Sequence, residues 1–274
     1  MIDRRGAAEV ALSAAREAAQ VIMRVYAQPF TVEYKIGDDP VTRADRESND
    51  LLCERLSRAF PAVPIVAEES DPRTYAGFAA ASASWFVDPL DGTREFVARN
   101  GEFVVMIGLA ERGRATVGAI VIPVSGRAFV GIVDDGAWEV AADGSRTPIH
   151  VSSRESLDGA SFVVSRSRQP DRVKALAASM GAREAVSRGS SGLKGVLVAT
   201  GVHDVYLQPG NAGMRWDACA TEALVRAAGG ACTETDGRPF DYALDELVNA
   251  RGLVAANGAL HDRVVAALRL QAPE

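Results

Sequence analysis

Cysteine, histidine and long apolar runs are scarce in this chain, and each shortage excludes a class of function. The 274 residues hold three cysteines, Cys53, Cys219 and Cys232, widely spaced and with no C-x-x-C pair. An odd, scattered set gives neither a disulfide framework nor a structural zinc site, and it fits a reducing cytosol. The three histidines, His150, His203 and His261, are too few for a histidine-rich metal site, which leaves carboxylates to carry any chemistry. No apolar run is long enough to span a bilayer. Met1-Ile2-Asp3-Arg4-Arg5 lacks the apolar stretch of a secretory leader, so the expected location is cytoplasmic. Positive charge is also short: the net charge is -6, with both signs interspersed. No basic stripe is present for nucleic-acid polymer and no polybasic patch for a membrane. A small molecule is the expected partner, and an anionic one would need bound metal or a few placed cations.

Apolar residues, by contrast, make up 47% of the chain, enough for real cores, and its length suits two modest domains. Ala-rich helical spacing over residues 6–26 predicts an amphipathic helix. A short strand over 30–36, a turn at Gly37-Asp38-Asp39-Pro40 and a second helix through about residue 60 follow. Apolar, β-branched runs at 103–110, 115–123, 127–133 and 137–140, separated by Gly-containing turns, predict an antiparallel sheet. Polar stretches near 150–158 mark a boundary, giving an α+β part over 1–155 and an α/β part over 156–274. In the second part, strands at 161–165, 184–187, 203–207, 231–234 and 253–256 alternate with helices at 171–180, 190–200, 217–228 and 258–270.

Five acids stand out because each lies at the end or start of a regular element: Asp45, Glu68, Asp88, Asp91 and Asp217. The 84–87 strand is expected to stop at Pro89, and Asp91-Gly92-Thr93 then opens a helix, so that Asp88 and Asp91 face one small space. Two close carboxylates suit a hard cation such as Mg²⁺, and the following helix start suits a phosphate. Taken singly, Asp-Pro and Asp-Gly are also common turn dipeptides, and Asp45 and Asp217 are also ordinary helix-start acids.

Glu68-Glu69-Ser70, then W-x-x-D-P-L-D-G-T over Trp85 to Thr93, then Trp216-Asp217 before an Ala-rich helix resemble the magnesium-dependent, lithium-sensitive phosphatases of the inositol monophosphatase superfamily. Arg94-Glu95-Phe96 and Arg99-Asn100-Gly101-Glu102-Phe103 are similar to its 3'(2'),5'-bisphosphate nucleotidase branch, the CysQ type. Ser190-Ser191-Gly192-Leu193-Lys194 points the same way. Where many nucleotidases carry Ser-x-Ser-His, this chain has Ser165-Arg166-Ser167-Arg168.

The resemblance implies the layered αβαβα sandwich of the carbohydrate-phosphatase fold and two or three Mg²⁺ ions. Glu68, Asp88, the Leu90 carbonyl, Asp91 and Asp217 would be their ligands. The main-chain N–H groups of Gly92 and Thr93 would hold the scissile phosphate. Asp45 and the Thr93 hydroxyl would orient and deprotonate a metal-activated water, with Glu68 beside them. Lys194, Arg168 and the helix start around Ser190 would meet the rest of the substrate. The implied reaction removes the 3'-phosphate of adenosine 3',5'-bisphosphate, and also of its sulfated form, 3'-phosphoadenosine 5'-phosphosulfate, in sulfur assimilation. Lithium inhibition and a homodimer belong to the same implication. Rivals are an inositol monophosphatase, a broad sugar phosphatase acting on substrates such as fructose 1,6-bisphosphate, and a non-catalytic metal or anion binder of this fold.

Overall fold

The computed structural model describes residues 2–35 and 38–271. Helix α1 (Arg4–Tyr26) leads into a ribbon of β1 (Val32–Tyr34) and β2 (Pro40–Thr42), then α2 (Arg43–Ala59) and β3 (Ile65–Ala67). The strand expected over 30–36 is thus shorter, and Ile36 and Gly37 lie outside the described residues. A 3-10 turn (Pro72–Tyr75) precedes β4 (Ala83–Asp91), α3 (Thr93–Val97), β5 (Val104–Glu111), β6 (Arg114–Ile122), β7 (Arg127–Ile132), β8 (Gly136–Val140) and β9 (Arg146–Pro148). Then come β10 (Ser161–Ser165), α4 (Pro170–Ser179), β11 (Glu184–Arg188), α5 (Ser191–Ala199) and β12 (Val205–Gln208). The chain continues through α6 (Arg215–Ala227), β13 (Gly230–Thr233), β14 (Leu253–Asn257) and α7 (Gly258–Gln271).

Strands β3 to β9 form a seven-stranded sheet in sequential order, antiparallel except for the β3–β4 pair. Strands β11-β10-β12-β14-β13 form a five-stranded sheet, parallel on one side of β12 and antiparallel on the other. Alternation of strands and helices alone does not foresee β13 and β14, which pair antiparallel as neighbours joined by a long connection.

Three apolar clusters set the layers. The alanine face of α1, with Leu52 and Leu56 of α2, packs on one face of the large sheet beneath Trp85, Val105 and Ile107. Alanine gives α1 strong helix propensity and a low profile, so the helix lies close to the strands. The opposite face meets α5 and α6, which also cover the small sheet through Val163, Tyr206 and Ala255. Outer helices α4 and α7 close the far side around Phe162, Val164, Leu260 and Val264. The order is helices, sheet, helices, sheet, helices, as expected. Among the described residues, no helix is long and apolar enough to cross a membrane.

A row of glycines seats the central helix. Gly108, Gly118 and Gly131 stand opposite one another across β5, β6 and β7. A β-carbon at Gly108 would fall 2.6 Å from Cys219 Sγ, and one at Gly118 would fall 2.4 Å from the Ala220 carbonyl oxygen. Only glycine admits the backbone of α6 this close, and α6 carries Asp217.

Candidate active site

Pro89 does not end its strand. Strand β4 runs on to Asp91, with a register shift: Asp88 stands opposite Met106 and Asp91 opposite Val104, so β4 spends one residue more than β5. Proline is tolerated in such a bulge because no ladder N–H is needed there. The bulge also has a geometric effect. Residues three apart on a regular strand point to opposite faces, whereas the extra residue turns Asp88 and Asp91 toward the same space.

Asp217 enters that space from the first turn of α6, where its Oδ2 accepts from Met214 N at 2.6 Å. Asp88, Asp91 and Asp217 each offer a carboxylate oxygen, and these oxygens lie within 4.8 Å of one another. Without a cation the arrangement is costly. Burial, then Glu68, Asp91 and Asp217, push Asp88 well above the usual carboxylate range. Burial and Asp91 push Asp217 up to about 7. Buried all-oxygen donors that repel each other are the donor set a hard divalent cation takes.

Glu68 follows β3 and lines the same cleft, outside the trio. Burial is the main cause of its rise to about 8, opposed by Lys35, whose ammonium lies 3.3 Å away. Lys35 also donates to Glu69. Nothing in the sequence singles Lys35 out, because it acts through the fold of the β1–β2 ribbon over the end of β3.

Asp45 both caps α2 and reaches Thr93. Its Oδ2 accepts from Thr42 N at 2.7 Å and from the Thr42 hydroxyl at 2.6 Å, capping α2. Its Oδ1 accepts from the Thr93 hydroxyl at 2.8 Å. Burial raises the pKa of this carboxyl, and the Thr42 and Thr93 hydroxyls oppose the rise. The Leu90 carbonyl stands 3.2 Å from the Thr93 hydroxyl, and Leu90 N donates to Asp88 Oδ1 at 3.0 Å. Gly92 between them has φ +99, and a β-carbon there would meet the Glu102 carbonyl oxygen at 2.9 Å.

The second sheet reaches the trio through Ser190. Its hydroxyl donates to Asp91 Oδ2 at 2.6 Å, and Gly192 N donates to the same oxygen at 2.7 Å. Ser190 is therefore a support for Asp91 in this geometry, a contact that spacing along the chain does not reveal. Lys194 is buried, and its ammonium donates to the carbonyls of Gly189 at 3.1 Å and Ser190 at 2.5 Å, over the Tyr206 ring. Burial lowers its pKa to about 8. Arg168 is exposed at the cleft rim, with Nη1 3.3 Å from Asn211 Oδ1.

Glu68, Asp88, Asp91, Thr93, Arg168, Ser190, Lys194 and Asp217 line one cleft of about 330 Å³ between the two sheets, with Asp45 just behind Thr93. Ser165, Ser167, Tyr206, Asn211 and Glu95 also line it. One end is a carboxylate cage beside a helix start and a Thr–Asp pair. The other is polar and is lined by Lys194 and Arg168. Such a space can take a divalent ion against a small oxyanion, with room for the group that carries it.

Comparisons with family models, curated proteins and solved structures agree in kind. The family model described as Inositol monophosphatase family matches residues 3–272. The 3'(2'),5'-bisphosphate nucleotidase CysQ of Salmonella typhimurium is 36% identical over 83% of this chain and 90% of that protein. The protein of that name from Buchnera aphidicola is 34% identical over 86% of this chain and 87% of its own length. Among solved structures, CysQ from Bacteroides thetaiotaomicron superposes with a TM-score of 0.75 at 29% identity, covering 92% of this chain and 97% of that one. Inositol monophosphatase from Anabaena superposes with a TM-score of 0.77 at 27% identity, covering 99% of this chain and 98% of that one.

Proposed function

The chain belongs to the inositol monophosphatase family, and from that premise we propose that it is a phosphatase removing the 3'-phosphate of adenosine 3',5'-bisphosphate. The observation that carries this reading is the acid trio, set beside the Thr93–Asp45 pair in a cleft with room beyond it. The curated nucleotidases at 34% to 36% identity support the choice of substrate. The sulfated nucleotide, 3'-phosphoadenosine 5'-phosphosulfate, fits the same chemistry.

The cation is Mg²⁺, two or three ions, held by Asp88, Asp91, Asp217, Glu68 and the Leu90 carbonyl. When bound it would neutralise phosphate charge and lower the pKa of a water so that hydroxide is available to attack. The protein supplies the rest. Gly92 and Thr93 N–H groups hold the scissile phosphate. Thr93, whose hydroxyl hydrogen is held by Asp45 at 2.8 Å, keeps a lone pair free to take a proton from the attacking water and passes its own to Asp45. Burial raises the pKa of that carboxyl, which favours receipt of the proton. Glu68 lies beside the trio on the same cleft wall, as a further acid for the cation and the water. Ser190, Lys194 and Arg168 form the wall that meets the remainder of the nucleotide.

We also infer a division near residue 155, a cytoplasmic setting in sulfur assimilation, inhibition by lithium and a homodimeric state. The deciding experiment is a substrate panel with Mg²⁺: adenosine 3',5'-bisphosphate, inositol 1-phosphate and fructose 1,6-bisphosphate. The bisphosphate nucleotide is expected to have the highest kcat/KM. A higher value for inositol phosphate would overturn the reading.

A further inference from the structure

Arg99-Asn100-Gly101-Glu102-Phe103 backs the turn at Gly92 with its Glu102 carbonyl, while the polar side-chain contacts of Asn100 and Glu102 involve neither the acid trio nor the Thr–Asp pair. Those contacts run elsewhere. Glu102 Oε2 accepts from Gly189 N at 2.7 Å and lies 2.7 Å from Arg166 Nη2. Arg166 Nη1 reaches Glu95 Oε2, on α3, at 2.9 Å. Asn100 donates to that same Glu95 oxygen, and its own Oδ1 accepts from Glu102 N at 3.0 Å. Arg188 Nε lies 3.7 Å from Glu102 Oε1.

One guanidinium thus forks between two acids of the first sheet's loop while belonging to the second sheet. Both carboxylates are well covered, at 11% and 20% exposure, while the Arg166 side chain is 39% exposed; the geometry rather than deep burial makes the fork specific. The anchored segments are the two that build the far wall of the cleft. Arg166 sits between Ser165 and Ser167, which line it, and its N–H donates to the Arg188 carbonyl at 2.9 Å. Gly189 precedes Ser190, and a β-carbon there would fall 2.2 Å from Glu95 Cγ. The wall therefore rests directly on the two acids.

We propose that Arg166, clamped between Glu95 and Glu102, is a positioning residue that sets the far wall of the cleft and so the affinity for the part of the substrate beyond the scissile phosphate. The inference rests on the phosphatase reading above. Glu95 and Glu102 are then there to receive the second sheet, a role distinct from metal ligation. Arg166 lies outside the lining of the cleft, so with Mg²⁺ saturating the chemical step keeps its own machinery. A guanidinium is needed because it alone offers two forks of donors to two separate acids.

The test compares Arg166→Met, Arg166→Lys and the near-isosteric Glu102→Gln with the wild type on adenosine 3',5'-bisphosphate. Arg166→Met is expected to raise KM at least tenfold with kcat within threefold. The inhibition constant of inorganic phosphate, which needs only the near end of the cleft, should move threefold or less. Arg166→Lys should recover part of the loss, and Glu102→Gln should follow Arg166→Met with a smaller rise. A fall in kcat with KM unchanged, or equal weakening of nucleotide and inorganic phosphate, would overturn the clamp as a positioning device. Should the wild type prefer inositol phosphate, the nucleotidase reading fails, and the same split between KM and kcat on that substrate decides the clamp separately.

Discussion

Ser190 donates its hydroxyl to Asp91 at 2.6 Å, joining residues 99 apart in sequence and tying the second sheet to the acid trio of the first. A charge-assisted hydrogen bond of this kind is worth roughly 1.5–3 kcal/mol when its acceptor is buried. Ser190 also caps α5 by accepting from Leu193 N at 2.9 Å. Ser190→Ala should therefore raise the Mg²⁺ concentration for half-maximal activity by roughly tenfold or more. Calorimetric titration of Mg²⁺ into the variant checks this, and an unchanged affinity would refute the supporting role.

Asp45→Asn keeps the shape of the Thr93–Asp45 pair and removes its capacity to take a proton. General-base loss of this kind costs about 10²–10⁴ in rate. Expected is a fall of that size in kcat at saturating Mg²⁺, with KM changed little. Steady-state kinetics with both substrate and metal varied would measure it, and a normal kcat would exclude Asp45 from proton transfer.

Asp88 sits among acids that raise its pKa, so the metal-free protein carries stored repulsion. Asp88→Asn should abolish turnover and yet raise the melting temperature of the metal-free protein. It should also shrink the further rise that Mg²⁺ produces in the wild type, because a ligand stabilises only by binding the folded state. Melting curves with and without Mg²⁺ decide the matter. A less stable metal-free variant, or one with wild-type turnover, would count against a metal cage at Asp88.

Glu222 on α6 is buried, accepts from the Tyr242 hydroxyl at 2.8 Å and pairs with Arg226 at 3.2 Å. Burial nevertheless pushes it from 4.5 up to about 7. Between those values the folded chain binds more protons than the unfolded chain. The contribution to stability is therefore fully present below about 4.5 and is lost as pH rises through about 7. Glu222→Gln, which can still accept from Tyr242, should gain stability relative to the wild type as pH goes from roughly 5 to 8. Denaturant melts at several pH values measure the difference, and a constant gap across the range would rule this account out.

Gly118→Ala places a methyl group 2.4 Å from the Ala220 carbonyl oxygen, where backbone rather than a pliable side chain must move. Overpacking costs typically about 1–3 kcal/mol. Because α6 carries Asp217, the variant should lose Mg²⁺ affinity along with stability. Loss of stability with metal affinity intact would separate the helix seat from the site.

The acids that the structure gathers stood out because each reads in sequence as the end or start of an element, although Asp88 lies inside β4. Asp45, Asp88, Asp91 and Asp217 needed only strand ends, turns and helix starts to be noticed. Pro89 misled, since a proline reads as a stop unless the bulge that accommodates it is known, and the bulge depends on pairing with β5. Lys35, the Ser190–Asp91 bond and the Arg166 fork were not legible as contacts, because each joins segments far apart in sequence. The small sheet was legible through its alternating strands and helices, whereas the antiparallel arrangement of β13 and β14 was set by a connection without periodic pattern.

The position of α6 between the two sheets carries a consequence for how the chain folds. Asp88 and Asp91 are in place once β4 and β5 pair, but Asp217 arrives only when α6 has settled on the glycines of the large sheet, and Asp91 is fully held only when α5 has docked. Contacts between such distant segments are paid for late, after loop closure. A partly folded chain with one sheet complete would hold an open pair of acids and no cage. On the proposed function, tight Mg²⁺ binding would signal that the whole chain has arrived, and its appearance during refolding would time the last docking step.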